Sequence, residues 1–156
     1  VSQIAAKDSV LFMWVTYPKL EDGLEVIKAW GFSYKAVAFT WVKTNKISEG
    51  FHFGLGFWTR ANPEICLLGT RGHPKRVNKS VANLVVSKLE GHSKKPDEVR
   101  DRITQLMGDL PRIELFARQK VDGWDCLGNE IDGRDIRDSL TTMIEELNGA
   151  KQLLLL

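Results

Sequence analysis

The chain opens on a mixed polar stretch and then runs Val10-Leu11-Phe12-Met13-Trp14-Val15 without a polar break. A strand with one wet face would alternate. An unbroken run predicts a strand covered on both faces, as in the centre of a parallel sheet. Pro18 then opens a helix in which Leu20, Leu24 and Ile27 share one face, and Gly31 stands where that helix stops. Tyr34 to Lys43 is aromatic and β-branched and predicts the next strand. Strand, helix and strand together measure about 30 residues, the size of a right-handed parallel crossover.

Residues 43–58 are polar and glycine-rich, with Asn45, Gly50, Gly54 and Gly56. A loop of that length in a compact domain is usually functional or mobile. Ile65 to Gly69 predicts a third strand and Leu84 to Val86 a short fourth. Pro96-Asp97-Glu98 forms the first turn of a helix whose Val99, Ile103 and Leu106 share a face. Ile113 to Ala117 predicts a fifth strand, and Ile136, Leu140, Met143 and Leu147 mark a last amphipathic helix. Nothing repeats. Strands alternating with helices argue an α/β sheet in a single domain spanning residues 1–156.

Composition narrows the class without changing this picture. The 156 residues are 43% hydrophobic and 27% charged, which excludes a disordered tail, a collagen-like repeat and a disulfide scaffold. The apolar runs, the closing Leu153 to Leu156 included, are too short to span a bilayer. The closing run is expected to pack onto the domain or onto a partner. Cys66 and Cys126 are far apart and read as buried thiols of a reducing compartment. Val1 to Ser9 shows no signal-peptide pattern, so a cytoplasmic location is expected. The net charge is only +2, but it is uneven. Between Arg60 and Lys95 eight basic residues face only Glu64 and Glu90. The stretch Arg71-Gly72-His73-Pro74-Lys75-Arg76 is suited to neutralising phosphates of a nucleic acid; a solvated loop is the plainer alternative.

Candidate chemistry gathers where ligands bind in such sheets, beyond the carboxyl ends of the strands. Thr44, Asn45 and Lys46 follow the second strand. Arg118 follows the fifth, which carries Glu114 in its middle. A carboxylate inside Ile113-Glu114-Leu115-Phe116 needs a partner if buried, and Arg118 is one candidate; a purely structural ion pair explains it equally. No glycine-rich phosphate loop and no nucleophile elbow occur. His52, His73 and His92 are scattered and lack metal-ligand spacing. His92-Ser93-Lys94-Lys95-Pro96 either caps the following helix or puts an ammonium group into the same cleft as Arg118.

The motifs come in a recognisable order: Leu11 to Thr16, Trp30-Gly31-Phe32, Trp41 to Lys46, Gly56 to Glu64, Arg71-Gly72, His92 to Glu98, Pro111 to Arg118, Gly123-Trp124-Asp125 and Gly128-Asn129-Glu130. Each is weak alone. Together they resemble the MT-A70 family of adenine methyltransferases, from about Val10 to Gly133, with bacterial and phage members the most alike.

The resemblance implies a Rossmann-like methyltransferase fold with permuted motif order, and methyl transfer from S-adenosylmethionine to the exocyclic amine of adenine in nucleic acid, DNA rather than RNA. It implies that Glu114, Phe116 and Arg118 line the cofactor site, that Asn129 and Glu130 hold the ribose or amino-acid end, and that Lys95 reaches the cofactor or the target base. Glu64 matches a family carboxylate near the adenine pocket. With Lys43, Asn45, Arg60, Lys75 and Arg76 it makes up the expected substrate-facing set. Family members also pair, so a homodimer or heterodimer is expected. The family's catalytic tetrapeptide Asp-Pro-Pro-Trp does not occur in these residues, which leads to the expectation of a further segment before Val1. The alternative is a catalytically silent family member that serves as a nucleic-acid-binding partner subunit.

Overall fold

The computed structural model describes residues 1–91 and 93–153; His92 and Leu154 to Leu156, singled out above, lie outside them. The chain divides into two compact units, Lys7–Gly108 and Val1–Ala6 with Asp109–Leu156.

The larger unit is built on a four-stranded sheet: β1 (Ser9–Val15), β2 (Ser33–Thr44), β3 (Glu64–Arg71) and β4 (Leu84–Lys88), in the order β1-β3-β2-β4. The sequence predicts β1 as a central parallel strand. It lies instead at one end of that order and pairs antiparallel to β3, which also pairs antiparallel to β2. An unbroken apolar run reports covered faces but not the direction of the neighbouring strand, and six of the seven β1 residues are only half-buried. β1 and β2 are therefore parallel to each other with β3 inserted between them. β2 and β4 pair parallel from Thr40–Leu84 to Thr44–Lys88.

A turn at Tyr17–Lys19 containing Pro18 leads into α1 (Leu20–Ala29). The helix ends as its sequence predicts. Gly31 adopts φ 82°, its N–H donates to the Lys28 carbonyl, and the Phe32 N–H donates back to the Ile27 carbonyl. This double closure satisfies two end carbonyls and brings Phe32 against Ile27, both buried. Glycine allows close approach of α1 to the sheet at two points. A Cβ on Gly23 would lie 2.5 Å from Val15, and one on Gly69 would lie 3.1 Å from Ile27.

Side chains alternate across a strand, so Cys66 and Leu67 point to opposite faces of β3. The α1 face takes Leu67. The other face holds the main cluster, Phe39, Trp41, Cys66, Val85 and Val99, with Phe12, Trp14 and Ile103 packed against it. Val99 and Ile103 come from α2 (Glu98–Met107).

The smaller unit holds two short parallel strands, β5 (Ile113–Leu115) and β6 (Asp125–Leu127), the four-residue helix α3 (Asn129–Asp132) and the long helix α4 (Ile136–Leu153). β6 and α3 are too short to leave a periodic signal in the sequence. Among the described residues, no helix is long and apolar enough to cross a membrane.

Candidate functional site

On the α2 face of the sheet the inward row is apolar for most of its length. β2 contributes Phe39 and then Trp41, β1 contributes Phe12 and then Trp14, and β3 contributes Cys66. At the last rung the row becomes charged. Two residues beyond Trp41 comes Lys43, and two residues before Cys66 comes Glu64. Glu64 is the first residue of β3 and its side chain is 14% exposed. Its Oε1 accepts from Lys43 Nζ at 2.7 Å and its Oε2 from Lys95 Nζ at 2.7 Å. Lys95 lies just before α2. The two ammonium groups also rest on the aromatic row below them, Lys43 Nζ 5.2 Å from the Trp41 ring centre and Lys95 Nζ 6.0 Å from that of Trp14. The two tryptophans meet edge to face.

Burial alone pushes the Glu64 carboxyl up, but the hydrogen bonds from Lys43 and Lys95 outweigh it and hold the pKa below the ordinary carboxylate value. Glu64 is therefore an ionised acceptor at neutral pH, with two of its lone pairs committed to ammonium groups. On the same rows, burial pushes the Cys66 thiol up to about 12, with a backbone hydrogen bond from Met13 opposing it in part, so it is inert. Cys66 and Cys126 are both free thiols.

Asn62 completes this end of the sheet. It is 6% exposed. Its Oδ1 accepts from the Lys43 N–H at 3.0 Å, and its Nδ2 donates to the Lys43 carbonyl at 2.8 Å and to the His52 carbonyl. The side chain thus ties the end of β2 to the loop that follows. That loop is closed further by the Thr44–Phe51 bridge and by the Gly54 N–H donating to the Ala61 carbonyl at 2.7 Å.

Of the substrate-facing residues expected from sequence, Lys43 and Glu64 are brought together, and Lys95, expected at the cofactor or the base, joins them. The others are spread out. Asn45 donates to the Glu49 carbonyl inside the loop, and exposed Arg60 donates to the Phe53 carbonyl. Lys75 and Arg76 lie exposed on the segment between β3 and β4. Part of the basic stretch is consumed locally, since Lys94 pairs with Glu90 and Asp97. Asn62, Trp14 and Trp41 were not singled out as site residues. Asn62 carried one usable signal: an Asn-Pro step within a glycine-rich segment marks a turn anchored by its amide.

The smaller unit groups the remaining residues. β5 carries half-buried Glu114 and is followed by Phe116, which has φ 60° and is 63% exposed. A left-handed backbone costs a residue with a Cβ about 1 kcal/mol or more. It is held because Ala117, 1% exposed, is locked beneath: its N–H donates to the Leu127 carbonyl at 2.9 Å, and Gly128 packs so closely that a Cβ there would lie 2.2 Å from the Ala117 carbonyl oxygen. The turn thus throws the Phe116 ring outward. Arg118 follows and its Nε donates to Glu130 Oε1 at 2.7 Å, both side chains about half-exposed. Asn129 and Glu130 open α3. A carboxylate, a guanidinium, an amide and an outward aromatic ring are thereby collected on one small scaffold.

A sequence model of the MT-A70 family matches residues 1–130. The chain belongs to the MT-A70 family. It is 34% identical over 135 residues to the human N(6)-adenosine-methyltransferase catalytic subunit METTL3, covering 84% of this chain and 23% of that protein. It is also 35% identical over 148 residues to the Mycoplasma type II methyltransferase M.MunI, covering 94% of this chain and 60% of that protein. A zebrafish METTL3 subunit matches at 34% over 139 residues, 86% of this chain and 24% of its own length. This MT-A70 chain thus spans about a quarter of the METTL3 proteins and somewhat less than two thirds of M.MunI.

Proposed function

We propose that this chain forms the cofactor-holding and base-holding parts of an S-adenosylmethionine-dependent adenine methyltransferase that acts on nucleic acid, with DNA as the substrate. Family membership supports the reaction class, and the names of the METTL3 relatives support the N6 position of adenosine. The choice of DNA follows the bacterial type II relative, which aligns with 94% of the chain. The observation that carries the base-holding assignment is the Lys43–Glu64–Lys95 cluster at the end of an aromatic row. An ionised carboxylate suits the donor edge of a purine, and the ammonium groups suit its acceptors or a neighbouring phosphate.

The residues of the smaller unit fit the cofactor by their chemistry. Arg118 is matched to the cofactor's carboxylate, Glu130 and Glu114 to its ammonium group, Asn129 to the ribose hydroxyls, and the outward ring of Phe116 to the adenine face. S-adenosylmethionine, when bound, supplies the electrophilic methyl group. The work of each unit is then to bind and orient its own reactant, a contribution that positioning alone can make large. No residue here is assigned to accepting the amine proton.

The test is cofactor binding by calorimetry on the unchanged protein and on Arg118→Ala. Loss of S-adenosylmethionine binding with an unshifted melting transition is expected, since Arg118 is half-exposed. Normal binding by the variant overturns the cofactor assignment. A protein that binds DNA but no S-adenosylmethionine is the silent partner subunit instead.

A further inference from the structure

The loop after β2 puts large apolar side chains in water. Phe57 is 95% exposed and Trp58 99%, with Leu55 beside them. This is not a loose segment that happens to carry aromatics. Its base is fixed by Asn62, by the Thr44–Phe51 bridge and by the Gly54–Ala61 hydrogen bond. Its apex is a tight reversal: a Cβ on Gly56 would lie 2.0 Å from the Thr59 carbonyl oxygen, so only glycine lets the chain fold back there and present Phe57 and Trp58 outward. Exposed apolar surface on a built scaffold marks an interaction site.

The surroundings select the occupant. Lys46, His52 and Arg60 share the loop with a single acid, Glu49, and the loop begins and ends within two residues of Lys43 and Glu64. Aromatic rings interleaved with basic side chains are the composition of a stacking platform for unpaired bases.

We infer that Phe57 and Trp58 stack on unpaired or extruded bases of the nucleic acid, next to the base held at Glu64. This rests on the reading of nucleic acid as the substrate and extends it to a second contact with a different physical character. Stacking neutralises no phosphate, so it adds affinity without adding salt dependence.

The experiment is titration of a fluorescein-labelled, adenine-containing single-stranded oligodeoxynucleotide, and of its duplex, over a range of salt. The protein is compared unchanged, as Phe57→Ala/Trp58→Ala, and as Phe57→Tyr/Trp58→Tyr. The alanine pair should lose about tenfold or more in affinity for the single strand, with an unchanged salt slope and an unchanged melting transition. The tyrosine pair should bind nearly as the unchanged protein does. Equal affinity of the alanine pair and the unchanged protein overturns the inference while leaving the substrate reading intact. No binding of either oligonucleotide by the unchanged protein overturns the substrate reading and the inference with it. Sedimentation velocity covers the remaining occupant: a dimer that becomes monomeric in the alanine pair, with DNA affinity retained, makes the apex a contact between copies and overturns the stacking role.

Discussion

Glu64 accepts from two ammonium groups, each at 2.7 Å, so the cluster carries one positive charge in excess. Glu64→Gln keeps the shape but leaves Lys43 and Lys95 facing each other without a counterion. The expected cost at pH 7 is about 1–3 kcal/mol, because the cluster is largely buried and solvent screens it weakly. The sign with pH follows from the lowered pKa. The stabilisation is fully present above the ordinary carboxyl value of 4.5 and is lost as pH falls through the lower value of the folded protein. Urea melts of both proteins should therefore differ at pH 7 and converge as the medium is acidified below 4.5. A constant gap across that range contradicts an ionised Glu64.

At the scale of elements, the Asn62 amide makes three of the hydrogen bonds that anchor the loop between β2 and β3. Asn62→Ala removes partners from the Lys43 N–H, the Lys43 carbonyl and the His52 carbonyl together. Hydrogen exchange at the Lys43 amide should quicken, and proteolytic cleavage within residues 45–61 should become faster, with global stability lowered by about 1–3 kcal/mol. Unchanged exchange at Lys43 would show that the amide does not hold the loop. The sequence made the elements legible where periodicity was long: α1, its glycine stop, α2, β2 and α4 are all where the pattern puts them. It misassigned the place of β1, because pairing direction is decided by β3, whose paired residues lie 50 to 62 positions on. For the site, residue types were legible and partners were not. Nothing in the chain from Lys43 to Lys95 announces that both reach Glu64, since that meeting depends on sheet register and on where α2 begins.

For the whole molecule, charge distribution matters more than net charge. Three of the eight basic residues between Arg60 and Lys95 are held locally: Lys94 by Glu90 and Asp97, Lys95 by Glu64, and Arg60 by the Phe53 carbonyl. Lys75 and Arg76 stay exposed on the β3–β4 segment. Lys75→Ala/Arg76→Ala should weaken DNA binding evenly across sequences and lower the slope of log affinity against log salt by up to about 2. An unchanged slope would return this segment to an ordinary solvated loop.

The Asn62 clamp has a consequence for divergence. It closes the loop below the apex, so side chains such as Leu55, Phe57 and Trp58 can change without moving Lys43 or Glu64, provided Gly56 keeps the reversal, and added length there costs little closure entropy. The charged cluster and the apex are in effect separate modules on one stem. If the two roles proposed above hold, changes at the apex alter the neighbouring contact while Lys43 and Glu64 keep their arrangement.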